Sequence, residues 1–156
     1  MSESLVHKLS SRKCFTINEG DKIHKLLLFL SRKNIGALPV LNSNGYIVGI
    51  ISERDIIRRL SEENNERFFQ KSVKSLMTKN VIYCDIQTRS DELMVLMTKN
   101  KIRHIPIVKN KKPIGMVSIG DVVNRLLEKY QSEAKLLREY ISLWSKIITS
   151  NYFFRQ

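Results

Sequence analysis

Two short segments of the sequence carry a hydroxyl and a carboxylate at the same spacing. Ser52 is followed by Asp55, and Ser118 is followed by Asp121, each pair preceded by a glycine and two apolar residues. A serine between a strand and a helix lies beside unpaired backbone N–H groups, where a phosphate can bind. A carboxylate three residues later can accept hydrogen bonds from vicinal ribose hydroxyls. Both segments therefore indicate a site for a sugar phosphate.

The same residue types also have a purely structural explanation. Serine is a favoured N-cap residue, and an acid in the first helical turn interacts favourably with the helix dipole. Capping alone explains either segment when it is taken singly. Because the pair recurs within an otherwise divergent repeat, the recurrence favours a ligand site.

The two segments occupy corresponding ends of an internal repeat. Segment 6–60 matches segment 73–126 in order and spacing, with one residue fewer in the central loop of the second copy. We expect repeats at 6–60 and 73–127, a linker at 61–72 and a helical extension at 128–156. The polar and charged linker predicts a surface loop with a helical turn.

Each copy is predicted to contain a strand, a helix, two strands and a closing helix, after a short amphipathic opening piece. The first strands are expected at 14–17 and 81–84, and Pro39 and Pro106 inside later strands predict an edge or a bulge. The predicted core faces of the first helices are Ile23, Leu26, Leu27 and Leu30, and Leu93, Met94, Leu96 and Met97. The fold class is α/β, with two βαββα repeats packed about a pseudo-twofold axis, because neither repeat can cover its sheet alone.

A long C-terminal helix is predicted over 121–148. Its apolar positions fall three or four residues apart and form one stripe: Val122, Leu126, Tyr130, Ala134, Leu137, Ile141, Trp144 and Ile148. The stripe exceeds what one small half-domain can cover, which indicates a partner subunit. Packing of the stripe against its own chain is the alternative, and the sequence leaves both open.

Composition limits the class of protein. The 156 residues, 42% hydrophobic and 27% charged, suit one compact globular unit without a large catalytic domain. No apolar stretch near the start is long enough to cross a bilayer or to form a signal peptide, so we expect a cytoplasmic protein. Cys14 and Cys84 lack metal or redox spacing and are expected to be buried thiols. The net charge of +12 favours anions, but dispersed, solvated charged faces are the preferred explanation of that charge.

The sequence resembles the CBS-domain family, named after cystathionine beta-synthase, over nearly the whole repeat region. The resemblance depends on a set of segments in each copy: 35–40 and 49–55 in the first, and 77–78, 102–108 and 115–121 in the second. Glu19 and Ile86 stand where the family often has proline, and Ser90 stands where it usually has an apolar residue. The resemblance implies a paired module, often dimeric, that binds an adenosine ligand in the cleft between its repeats.

Carried over to matching positions, the resemblance implies two unequal nucleotide sites. In the first site, Asp55 would bind the ribose, and Ser52 and Arg54 would bind the phosphate. Beside the base and the phosphates would lie Ile102, Arg103 and His104. Thr78 and Lys79 would lie near the adenine. In the second, Ser118 and Asp121 would act with Ile35, Gly36, Ala37 and segment 10–12. Gly36 and Ala37 replace the Arg103 and His104 of the other repeat, so the second site is expected to bind more weakly or remain empty. The alternative for Arg103 and His104 is a charged edge strand with a partly buried, hydrogen-bonded histidine.

The predicted function is a regulatory, energy-sensing module that binds an adenine nucleotide and has no catalytic chemistry. AMP is the first choice of ligand, with ATP, ADP, NAD and S-adenosylmethionine as alternatives, and no metal is required. A homodimer and a regulated partner protein are expected, whereas a membrane or nucleic-acid partner is not. The alternative function is a basic nucleic-acid-binding or stress-associated protein that uses the +12 charge. An enzyme is disfavoured because the sequence has no phosphate loop, zinc-protease motif or nucleophile elbow.

Overall fold

The computed structural model describes residues 4–63 and 66–153. The first repeat contains α1 (Leu5–Ser10), β1 (Ile17–Asn18), α2 (Ile23–Lys33), β2 (Ala37–Leu41), β3 (Ile47–Ser52) and α3 (Glu53–Glu62). Two short 3₁₀ helices follow, at Glu66–Gln70 and Val73–Ser75. The second repeat contains α4 (Ser90–Asn100), β4 (His104–Lys109), β5 (Lys112–Ser118) and the long α5 (Ile119–Phe153). The predicted α/β architecture with a long C-terminal helix is therefore confirmed.

Each repeat is built on an antiparallel hairpin. In the first repeat β2 pairs with β3, and the short β1 lies parallel to β2 on its other side. In the second repeat β4 pairs with β5, and Cys84 forms a single parallel bridge to Ile107 in place of a strand. A register shift follows each strand proline, between Val40 and Leu41 and between Ile107 and Val108, as expected for a proline beside a bulge.

The first strands are shorter than the sequence predicts. The run at 14–17 contributes only Ile17 to the two-residue strand β1, and the run at 81–84 contributes only the bridge at Cys84. Cys14, Phe15 and Ile82 instead line clefts between the repeats. The prediction of full strands was wrong because an apolar extended run can line a cleft as well as pair with a sheet.

The opening segments of the two repeats are exchanged. Val6 and Leu9 of α1 belong to the core around β4, β5 and α4, whereas Val73, Leu76 and Met77 belong to the core around β2, β3 and α2. Thr78 also pairs with Ile50 of β3 through two backbone hydrogen bonds, of 2.8 and 3.0 Å. Each repeat therefore completes the core of the other.

Two glycines allow this exchange. A Cβ at Gly49 would lie 2.5 Å from Met77 Sδ and 3.1 Å from the Thr78 carbonyl oxygen. A Cβ at Gly115, in the second repeat, would lie 2.8 Å from Ile107 Cδ1 and 3.1 Å from the Leu9 carbonyl oxygen. Gly49 and Gly115 begin the two segments that end in Asp55 and Asp121. A residue without a side chain is thus required where the opening segment of the other repeat crosses the sheet.

The residues at the centre of each predicted helical core face are buried in the structure, and those at its edges are partly buried. Ile23, Leu26, Leu30, Leu93 and Met97 are buried, while Leu27, Met94 and Leu96 are partly buried at the edges of the same cores. The linker differs from the prediction. Phe68 in its 3₁₀ helix is fully buried in the core of the first repeat, so this part of the linker is a core element and not only a surface loop.

Helix α5 leaves the second repeat soon after it begins. Val122 is buried and Leu126 partly buried, but the side chains from Leu127 to Ile147 are exposed. The alternative that the stripe packs against its own chain is therefore wrong for 127–147, and Ile148 lies outside the described side chains. Within residues 4–63 and 66–153, no helix has the combined length and hydrophobicity needed to span a membrane.

Candidate functional site

The two hydroxyl-and-carboxylate pairs form matching capping boxes. Asp55 Oδ2 accepts hydrogen bonds from the Ser52 backbone N–H at 3.0 Å and from Ser52 Oγ at 2.6 Å, while the Asp55 N–H donates to Ser52 Oγ at 3.4 Å. Ser118 and Asp121 repeat this arrangement at 2.9, 2.5 and 3.2 Å. The capping role that the sequence suggested is therefore present at both helix starts.

In the first pair, one carboxylate oxygen of Asp55 takes no part in the cap. Asp55 Oδ1 lies 3.4 Å from Arg58 Nη2, near the limit for a hydrogen bond, and the Asp55 side chain keeps 17% of its surface exposed. That oxygen can accept a hydrogen bond from a sugar hydroxyl. The Ser52 hydroxyl already donates to Asp55, so it must rotate before it can donate to a phosphate.

A cleft of about 280 Å³, here called cleft 1, opens in front of Asp55. Its walls come from both repeats: Ala37, Ile50, Ser52, Arg54, Asp55, Arg58, Thr78, Asn80, Ile82, Lys101, Ile102, Arg103 and His104. Four of these side chains are cationic and one is a carboxylate, so the cleft favours an anion. The isoleucines supply an apolar wall beside the charges.

Cleft 1 contains all the residues assigned to the first site except Lys79. The Lys79 side chain is exposed and lies outside the lining. Thr78 is in the lining, but both of its backbone polar groups are bonded to Ile50, so its side chain is the part that faces a ligand.

Sequence reasoning missed five lining residues: Ile50, Arg58, Asn80, Ile82 and Lys101. A sequence signal existed for two of them. Arg58 follows Asp55 by three positions, which places both on one helical face. Lys101 immediately precedes the predicted run 102–104. The others follow from the crossing of the opening segment over β3, which spacing does not reveal.

A second cleft, cleft 2, has a volume of about 610 Å³. Its lining residues are Leu9, Arg12, Lys13, Cys14, Phe15, Asn34, Ile35, Gly36, Ala37, Leu38, His104, Gly115, Met116, Ser118 and Asp121. The predicted residues Ile35, Gly36, Ala37, Ser118 and Asp121 meet here with Arg12, whereas Ser10 and Ser11 do not line it. Arg12 and Lys13 provide two cations against the carboxylate of Asp121, fewer than in cleft 1.

His104 lies between the two clefts and lines both of them. Burial lowers the pKa of His104 from its usual 6.5, and Arg103 lowers it further, while Glu53 and Asp121 oppose the shift. The imidazole is therefore biased towards its neutral form, in which one ring nitrogen can donate and the other accept a hydrogen bond.

The two cysteines are unpaired and differ in environment. Cys84 is buried in the core of the second repeat, where burial and then the charge of Asp85 raise its pKa to about 12. Cys14 is half-buried in the wall of cleft 2, and burial raises its pKa as well. The expected burial is thus complete for Cys84 and partial for Cys14.

The two repeats match a known family of domains. A family model for the CBS domain matches residues 6–62 and again residues 73–128. Among curated proteins, the chain is 36% identical over 125 residues to the CBS domain-containing protein CBSX3, mitochondrial, of Arabidopsis thaliana. The match covers 78% of this chain and 60% of that relative, and a second, longer relative is covered over only 25% of its length.

Solved structures give the same result. A CBS-domain containing protein from Agrobacterium tumefaciens superposes with a TM-score of 0.71 at 33% identity, covering 76% of this chain and 88% of the other. The CBS domain pair of protein MJ0100, solved in complex with 5-methylthioadenosine and S-adenosyl-L-methionine, has a TM-score of 0.71 at 26% identity. That match covers 82% of this chain and 99% of the other.

Proposed function

The chain belongs to the CBS domain family, and from that premise we propose that it is a regulatory, energy-sensing module that binds an adenine nucleotide in cleft 1. The observation that carries the proposal is that cleft 1 gathers groups suited to each part of a nucleotide, contributed by both repeats. Occupancy of cleft 1 would then depend on nucleotide concentration, as a sensor requires.

The sugar and the phosphates are assigned to the polar side of cleft 1. Asp55 Oδ1 would accept hydrogen bonds from the ribose hydroxyls, because Oδ2 is already used in the cap. Arg54 and Arg103, with the Ser52 hydroxyl after rotation, would bind the phosphate. Charge-assisted hydrogen bonds from arginine to phosphate are short and strong, so this end would fix the ligand's orientation.

The adenine is assigned to the apolar side. Ile82 and Ile102 line the cleft and provide surfaces against which a flat base can pack. The Thr78 hydroxyl would contact the base edge, and Lys79 would reach it only from the rim. A volume of about 280 Å³ lies just below the range of about 300–1,000 Å³ usual for ligand pockets, which favours a mononucleotide over NAD. AMP is therefore our first choice, before ADP and ATP.

The structural relative supports an adenosine-containing ligand. The CBS domain pair of MJ0100 is complexed with two molecules that both contain adenosine, 5-methylthioadenosine and S-adenosyl-L-methionine. S-adenosylmethionine therefore belongs in the panel of ligands to be tested, together with AMP, ADP, ATP and NAD.

We propose that cleft 2 binds the same class of ligand more weakly. Ser118 and Asp121 repeat the capping geometry of cleft 1, but Gly36 and Ala37 stand where cleft 1 has Arg103 and His104. Arg12 would supply the phosphate contact from the exchanged opening segment. The larger volume and lower positive charge of cleft 2 both reduce its expected affinity.

Isothermal titration calorimetry with the ligand panel tests the proposal, together with mass spectrometry of small molecules carried through purification. We expect heat and a raised melting temperature with AMP, because a ligand bound only to the folded state stabilises it. Absence of heat and of a thermal shift with all five ligands would remove the main support for the function.

We propose further that the module is a cytoplasmic homodimer that regulates another protein and carries no catalytic chemistry of its own. Steady-state ATP hydrolysis well above background would overturn the last point. The nucleic-acid-binding alternative predicts a mobility shift whose affinity falls steeply with salt. We expect nucleotide binding and no mobility shift with nucleic acid.

A further inference from the structure

The exposed part of α5 carries many apolar side chains that the rest of the described chain does not cover. From Leu127 to Ile147, where the side chains are exposed, it extends about 30 Å at 1.5 Å per residue. Amphipathic helices in proteins are stabilised mostly by packing of their apolar face. An exposed apolar surface of this extent marks an interaction site.

The apolar residues of this region follow a heptad pattern. Leu127, Tyr130, Ala134, Leu137, Ile141 and Trp144 are separated by alternating intervals of three and four residues, and we call them the α5 seam. The five large side chains among them are 49–65% exposed, and Ala134 is exposed as well. Intervals that alternate in this way are the sequence pattern of a coiled coil, in which two helices bury one stripe against each other.

We propose that the α5 seam pairs with the α5 seam of a second copy of this chain in a parallel, in-register coiled coil. A twofold-symmetric pair buries the same surface on both chains, so one stripe satisfies both partners. In this arrangement the seam positions of one helix meet the same positions of the other along the exposed length.

Charges beside the seam determine the parallel orientation. Glu133 immediately precedes one seam residue and Arg138 immediately follows the next, five positions later. These are the two flanking positions that face each other between parallel helices, so each Glu133 meets the partner's Arg138. Within the described residues neither side chain takes part in an ion pair, whereas Lys135 and Glu139 pair on the far side of the helix.

A second exposed stripe of α5 provides a control surface. Leu136, Tyr140, Leu143 and Ile147 are 51–65% exposed and lie beside the seam. Leu136 and Leu143 fall at heptad positions that point away from the partner in a two-helix coiled coil. Substitutions at Leu143 and Ile141 therefore distinguish the two faces with matched changes in hydrophobicity.

The inference rests on the proposed self-association and is independent of nucleotide binding. Sedimentation equilibrium of the full chain, with parallel calorimetry of AMP binding, separates the two. Ile141→Glu should raise the dimer dissociation constant at least tenfold and leave AMP binding and the thermal transition of the module in place. Leu143→Glu should change the dissociation constant less than threefold. The proposal that the α5 seam forms the dimer interface would be contradicted if both variants, or Leu143→Glu alone, dissociated the dimer. A monomeric parent chain would contradict it as well.

A charge exchange tests the orientation. In Glu133→Arg, the new arginine of each chain would face Arg138 of the other chain, so both symmetry-related contacts become repulsive. Dimer affinity should fall about tenfold, equivalent to about 1.4 kcal/mol. Glu133→Arg combined with Arg138→Glu restores the opposite charges and should recover parent affinity. Failure of the double variant to recover it would contradict the parallel arrangement.

Cysteine cross-linking tests the register in a Cys14→Ser background, with Cys84 buried. Ala134→Cys places two thiols opposite each other across the seam, and mild oxidation should yield covalent dimers. Ser142→Cys, on the polar face, should not. Cross-linking through Ser142→Cys, or its absence through Ala134→Cys, would exclude an in-register parallel pair.

Discussion

The imidazole of His104 packs directly against Gly36, so closely that a Cβ at Gly36 would lie 3.2 Å from His104 Cε1 and 3.4 Å from Nε2. The two residues come from different repeats, and both clefts share His104 as a lining residue. A side chain at position 36 would displace the imidazole towards one cleft or the other. The glycine therefore keeps His104 available to both.

The first prediction concerns the two carboxylates. Asp55→Asn keeps a side-chain oxygen for the cap but loses the charged acceptor for the ribose. AMP affinity should therefore fall roughly ten- to hundredfold, or about 1.4–2.7 kcal/mol. Asp121→Asn is the matched control and should leave the high-affinity phase of the titration unchanged. Calorimetry measures both. Equal, unaltered binding in the two variants would contradict the assignment of Asp55.

The second prediction concerns pH. Because the pKa of His104 is lowered in the folded chain, the unfolded chain takes up this proton first as pH falls. Stability should therefore decrease as pH falls from about 6.5 through the folded pKa, and His104→Gln should remove that component. Chemical denaturation of parent and variant across this range measures the difference. A difference that grew at higher pH would contradict the direction of the shift.

Nucleotide binding should reverse part of this shift. In the free chain, Arg103 disfavours the protonated imidazole of His104, whereas Glu53 and Asp121 favour it. Negatively charged phosphates in cleft 1 would favour it further. Binding should then be accompanied by proton uptake below pH 6.5, seen as a dependence of the calorimetric heat on the buffer's ionisation enthalpy. His104→Gln should abolish that part of the uptake.

The third prediction concerns the crossing glycines. Gly49→Ala and Gly115→Ala should each lower the free energy of unfolding by about 1–3 kcal/mol, because a methyl group would collide with the opening segment of the other repeat. Gly20→Ala is the control, since a Cβ there would meet nothing within 4 Å, and it should change stability by less than about 0.5 kcal/mol. Urea denaturation provides the values. Stability equal to the parent in both crossing variants would mean that the opening segments are not held against the sheets as described.

The fourth prediction uses the cysteines to report on cleft 2. Iodoacetamide should modify Cys14 faster than the buried Cys84, whose pKa is about 12. An AMP concentration that fills cleft 1 should leave the Cys14 rate unchanged, and only higher concentrations should reduce it. Mass spectrometry follows both sites, with Cys84 as the internal control. Protection of Cys14 at the same midpoint as binding in cleft 1 would show that the two clefts have equal affinity.

The sequence determined the local features of this protein. Apolar spacing located the helices, and the buried residues Ile23, Leu26 and Leu93 fall on the predicted faces. The pairing of serine with aspartate predicted both helix starts, and the repeat predicted that the chain has two equivalent halves. These features depend on residues within a few positions of one another, so their spacing in the sequence carries the information.

The tertiary structure determined which distant segments of the chain are in contact. The exchange of Val6 and Val73 between the two cores, the burial of Phe68 and the shared position of His104 all depend on contacts between segments far apart in the chain. Spacing along one segment does not specify which distant surface will cover it. The free energy of burying apolar area selects the partner only when the whole chain packs, and for that reason the groups lining the clefts could be only partly predicted from the sequence.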